Sequence, residues 1–143
     1  MRKGNRYEAD QRHAEIIIRE LGLSGGSKGR CVPCVREEKS NREDAGEVLG
    51  REEASIYRGL VARGLYLTQD RTDIGYTIKE LSRRMSSPRE GDMGRLKRLG
   101  RYLVGKERVV VRYGYQSWDR EVDVWTDSDY AGCRETRWST SGG

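Results

Sequence analysis

With 143 residues, 34% of them apolar and 36% charged, and no Phe, the chain has material for one small domain or parts of two, around a thin core. Its net charge of +5 favours polyanionic partners such as nucleic acid, because Lys and Arg neutralise phosphates and release counterions. No run approaches the roughly 20 apolar residues of a membrane span, and Met1-Arg2-Lys3-Gly4-Asn5 opens no leader-like apolar stretch. The expected setting is soluble and intracellular, cytoplasmic or nuclear, with the three Cys reduced.

In chain order, Asp10 to Leu21 reads as a helix. Asp10 is placed to cap it, Ala14, Ile17, Ile18 and Leu21 share one face, and Gly22 stops it. Residues 24–52 form an expected flexible linker: Ser24-Gly25-Gly26-Ser27-Lys28-Gly29 is loop-like, and Arg36 to Asp44 is almost wholly charged or polar. From Ala54 a second helix is expected, with Ile56, Leu60, Val61 and Leu65 as its stripe and Tyr57 beside it. Thr68 to Arg71 breaks that pattern. A third helix follows, capped by Thr72 or Asp73, with Ile74, Ile78, Leu81 and Met85 inward and Ser86-Ser87-Pro88 as its end. A fourth spans Glu90 to Leu103, with Met93, Leu96, Leu99 and Leu103 apolar and Arg95, Lys97, Arg98 and Arg101 basic. The period then changes. Arg108 to Tyr113 and Val122 to Asp127 are β-prone, and an antiparallel hairpin between them is expected.

Four groups could carry chemistry. Asp127 and Asp129 end the last β-prone stretch one residue apart. They suit either a hard cation such as Mg²⁺ or an ordinary turn or helix cap. Arg95, Lys97, Arg98 and Arg101 suit either a nucleic-acid backbone, with Tyr102 adding stacking, or a solvated helix face. Cys31-Val32-Pro33-Cys34 lacks the further ligands a structural zinc site needs and reads as two free thiols. His13, with no nucleophile context, reads as a surface residue.

Taken together, five stretches in order resemble one family. They are Tyr7-Glu8-Ala9-Asp10-Gln11-Arg12-His13-Ala14-Glu15, Tyr57 to Val61 with Leu65 to Ile74, Glu80 to Pro88, Leu96 to Gly105, and Asp127 to Cys133 with Arg137 to Gly143. All are similar to segments of copia-type retrotransposon polyproteins. The resemblance implies an α+β chain whose helical N-terminal two-thirds is thumb- or connection-like, followed by a short antiparallel β-hairpin that starts an RNase H-like fold. In those terms 1–23 is a helical segment, 24–52 a linker, 53–105 the reverse transcriptase region and 106–143 the RNase H start.

The same resemblance makes Asp127 the first catalytic carboxylate and Mg²⁺ ligand of the RNase H fold, with Asp129 a less direct participant. RNA–DNA hybrid is the implied partner and Mg²⁺ the implied cofactor of the parent enzyme. The polymerase's paired aspartates and the later RNase H carboxylates have no counterpart here, so this chain alone is expected to catalyse nothing. A basic nucleic-acid-binding module without catalysis is the alternative, and a ribonuclease completed by further sequence is a third. The chain departs from the family at Thr72 in place of Pro, Met93 near a usual Trp, Gly100 inside the basic helix, Tyr130 in place of Trp, Trp138 in place of a basic residue, and Cys31 to Cys34.

Overall fold

Asp10 caps the first helix as its position suggests: its Oδ1 accepts the Arg12 amide at 2.9 Å, and helix α1 runs Gln11–Glu20. Gly22 closes it with φ of +67°, a left-handed conformation that glycine adopts without a Cβ clash, and Leu23 then donates to the Ile18 carbonyl at 3.0 Å. In this computed structural model the described residues are 4–23, 28–34, 46–115, 124, 126–129 and 140–142. Residues 24–27 and 35–45, most of the expected linker, lie outside them.

Helix α2 spans Arg51–Leu67 and helix α4 spans Glu90–Val104. Between them a 3-10 turn at Thr72–Ile74 leads into helix α3, Gly75–Ser82. A short strand β1, Asn5–Glu8, pairs with β2, Val110–Tyr113. Strand β3, Asp127–Asp129, pairs antiparallel with β4, Thr140–Gly142. Residues 6–113 form one compact unit. A second unit takes in 1–5 and 114–143.

In the first unit α1 packs on α2 and α4, and α2 packs on α3. Ala14, Ile17 and Ile18 of α1 meet Tyr57, Leu60, Val61 and Leu67 of α2, Ile74, Ile78 and Leu81 around α3, and Leu96, Leu99 and Leu103 of α4. The buried stripe of α2 is rotated from the expected one. Ile56 is 51% exposed and Leu65 42% exposed, while Ala54, Tyr57, Leu60, Val61, Gly64 and Leu67 face inward. Tyr57 turns the helix this way because its hydroxyl donates to the Leu81 carbonyl at 2.8 Å, which satisfies a phenol that is otherwise fully buried. Gly64 completes the face. A Cβ there would come within 2.3 Å of Ile78 Cδ1, so a larger residue at 64 would have to displace the Ile78 side chain.

Three further expectations are corrected. Helix α3 ends at Ser82 rather than at Ser86-Ser87-Pro88, and turns through Arg83 and Arg84. Neither Thr72 nor Asp73 caps it; Ile74 holds that position with no side-chain bond, because the Asp73 carboxylate is engaged by Arg71. The expected hairpin partner of β2, from Val122, lies mostly outside the described residues. Strand β2 pairs with β1, and Glu8 receives both Nε and Nη2 of Arg108, an attraction across a sequence separation of 100 residues that a local period cannot signal. Asp127 opens its strand instead of ending one: Val124 and Thr126 are exposed and outside any strand, while Val122, Asp123 and Trp125 lie outside the described residues.

The antiparallel pairing, four helices and short strands agree with an α+β chain. No helix among the described residues is long and apolar enough to cross a membrane.

Candidate nucleic-acid interface and the buried arginine beside it

Helix α4 is built with two unlike sides. Leu96, Leu99, Gly100, Tyr102 and Leu103 are buried, and Met93 packs at the edge. Gly100 lets the C-terminal end of α1 come close, since a Cβ there would meet Leu21 Cδ1 and Leu23 Cδ1 at 2.6 Å each. The outward ridge runs Glu90, Gly94, Lys97, Arg101, at helical spacings of four, three and four.

The four basic residues singled out on α4 therefore separate. Lys97 and Arg101 are exposed, one turn apart on the ridge. Arg95 turns back: its Nη1 donates to Asp92 Oδ1 at 2.8 Å. Arg98 is half-buried, and its Nε is shielded from solvent without a hydrogen-bond partner. The helix start explains Arg95. Asp92 is buried, and its Oδ2 accepts the Arg89 amide at 2.9 Å, which satisfies one of the orphan donors of the first turn. A buried carboxylate then recruits the nearest cation, three residues on. Asp92 and Arg95 stand at i and i+3 in the sequence, but that spacing alone does not show that the carboxylate is buried.

The most tightly engaged polar group was missed altogether. Arg71 is only 1% exposed, in the loop between α2 and the 3-10 turn. Its Nε and Nη2 donate to the two oxygens of Asp73 at 2.9 and 2.8 Å, a bidentate pair. Its Nη1 donates to the Lys106 carbonyl at 2.9 Å, just past the end of α4. Tyr102 adds a third bond to Asp73, its hydroxyl donating to Oδ2 at 2.7 Å. Lys106 in turn lies over the Tyr102 ring, with Nζ 5.0 Å from the centroid. Burial disfavours the ionised form of Asp73, but the hydrogen bonds from Arg71 and Tyr102 outweigh it and hold the carboxyl below its ordinary range. Burial likewise works against the charge on Arg71, and the bond and attraction of Asp73 restore it, with a net upward shift. Burial and the adjacent Asp73 carboxylate raise Tyr102. All three groups are thus held in the protonation states that bond to one another at neutral pH.

A smaller group lies near β1. The Tyr7 hydroxyl donates to Asp70 Oδ1 at 2.5 Å, and the His13 ring packs on Tyr66 with centroids 4.7 Å apart. Arg63 Nη1 lies 3.4 Å from His13 Nδ1, so His13 is part of a packed surface cluster rather than an isolated surface residue. Cys31 is exposed and Cys34 half-buried, both as free thiols. Cys133 lies outside the described residues.

For the expected metal ligands, the structure describes backbone only. Asp127 stands opposite Gly142 and Asp129 opposite Thr140. Among the described residues no three His, Cys, Asp or Glu side chains gather as a metal would require.

No family model matches the chain, and no solved structure matches it. Two curated relatives do. An uncharacterized mitochondrial protein of Arabidopsis thaliana is 38% identical over 88 residues, covering 62% of this chain and 36% of the relative. A retrovirus-related Pol polyprotein from transposon RE1, also of Arabidopsis thaliana, is 34% identical over 88 residues, covering 60% of this chain and 6% of the polyprotein. The chain thus spans about a third of one relative and a small part of the other. Over about 60% of its length the chain is thus similar to a retrovirus-related Pol polyprotein from a transposon.

Proposed function

We propose that residues 6–113 are a thumb- or connection-like body from the C-terminal part of a retroelement reverse transcriptase, and that α4 is its nucleic-acid-facing helix. The observation that carries this is the outward ridge of α4, where Lys97 and Arg101 stand exposed one turn apart on a helix whose other side is packed. Relatedness to a Pol polyprotein supports the same reading. On it, Lys97 and Arg101 meet the phosphates of an RNA–DNA hybrid and position the duplex without reading bases. Gly94 on the same ridge leaves the helix backbone uncovered, so a strand can lie close. Arg95 acts through Asp92 by fixing the start of the helix, and Arg98 supports the ridge from beneath.

In the parent enzyme the start of the RNase H region follows, and Asp127 is its first Mg²⁺ ligand, with Asp129 beside it in sequence. Mg²⁺ there would activate water and stabilise the leaving oxygen. On this reading Asp127 contributes one carboxylate to that site, and the part played by residues 6–113 is to bind the duplex.

The test is titration of the chain with an RNA–DNA hybrid at several salt concentrations. Binding should weaken with salt, and the Lys97→Gln/Arg101→Gln double variant should lower the log–log slope by about 2, roughly 0.9 for each lost phosphate contact. No binding at low salt, or an unchanged slope in the double variant, would overturn the assignment of α4. With Mg²⁺ present the hybrid should stay intact.

A further inference from the structure

The only sequence motif that the proposed function leaves unused is Cys31-Val32-Pro33-Cys34. Residues 28–30, just before it, lie against the helical body. The Arg30 amide donates to the Arg101 carbonyl at 3.1 Å, in the last turn of α4. Gly29 packs backbone to backbone against Gly105, where a Cβ would lie 3.5 Å from the Gly105 Cα. From that anchor the chain bends at each of Cys31, Val32 and Pro33, so Cys31 opens the bend and Cys34 follows it. Both are free thiols. A zinc site of the usual kind needs four ligands, and no third His, Cys, Asp or Glu joins them among the described residues. The chemistry open to two thiols in one bend, one exposed and one half-buried, is exchange with a disulfide.

We infer that Cys31 and Cys34 form a reversible dithiol–disulfide modification site that takes small disulfides of the glutathione class as its oxidant. Exposure assigns the order. The Cys31 thiol loses its proton and attacks one sulfur of oxidised glutathione, giving a mixed disulfide and one released glutathione thiol, which takes the proton. The half-buried Cys34 then loses its proton and attacks the Cys31 sulfur, and the second glutathione leaves as a thiolate that takes the proton. Two electrons and two protons pass from the protein to glutathione, and one intramolecular disulfide remains. The anchors at Arg30 and Gly29 fix the chain where it enters the bend, which is why closure is expected to be easier in the fold than in the unfolded chain.

The test uses the full chain carrying Cys133→Ser, which leaves these two cysteines as its thiols. The chain is equilibrated in reduced and oxidised glutathione of varied ratio, natively and in concentrated urea. Free thiols are titrated and the products mapped by mass. The expected product is a chain lighter by about 2 Da with both thiols lost, and an equilibrium constant for closure about tenfold larger in the native fold than in urea. A stable glutathione adduct, a disulfide between chains, or equal constants in the two solvents would overturn the inference.

Discussion

Arg71 and Asp73 show what one buried cation demands of its neighbours. The guanidinium is almost sealed from solvent, and each of its three nitrogens donates to Asp73 or to the Lys106 carbonyl. Asp73→Asn keeps the shape and removes the countercharge, leaving a buried charge unpaired. It is expected to cost about 3 kcal/mol in urea denaturation, at the lower end for such losses because the Asp73 side chain is 31% exposed. Tyr102→Phe removes one hydrogen bond to a charged group and should cost about 1.5 kcal/mol. The pH dependence has a definite sign. Asp73 is held below its ordinary value of 3.8, so its contribution is complete above that value and is lost as pH falls through the folded-state value. The gap in stability between the parent chain and Asp73→Asn should therefore be full at neutral pH and shrink below pH 3.8.

Among the elements, α2 offers an internal comparison of two glycines. Gly59 faces open space, whereas Gly64 is pressed by Ile78. Gly59→Ala should stabilise the protein by about 1 kcal/mol through helix propensity. Gly64→Ala has the same propensity gain set against overpacking, typically 1–3 kcal/mol, and should destabilise in the same thermal melt. The contrast also explains what the sequence made legible. Helix α4 was readable because Leu96, Leu99 and Leu103 carry no polar atom and leave one choice of face. Helix α2 was not, since Ile56 and Leu65 are as apolar as Leu60, and the decision rests with the Tyr57 hydroxyl and the gap at Gly64. Lys97 and Arg101 were legible as basic positions on a helix. That Arg95 belongs to Asp92 follows from burial of the carboxylate, which spacing alone does not reveal. Strand β2 found a partner near the other end of the unit, and Arg71 a carbonyl beyond α4. Neither leaves a trace in local periodicity.

On the scale of the whole molecule, every buried apolar side chain among the described residues falls between Ala9 and Leu103. The core among the described residues thus lies in the unit 6–113, and expressed alone this unit should melt cooperatively. A broad, non-cooperative melt of that piece would contradict this. The same distribution bears on the time course of folding. Helices α2, α3 and α4 are local structures joined by short turns, and such contacts form early. The bond from Arg71 to the Lys106 carbonyl spans 35 residues and closes only when α4 has docked. It is therefore expected to form late in folding. Weakening it should leave the refolding rate nearly unchanged and speed unfolding, so Arg71 governs how long a folded molecule lasts more than how quickly one is made.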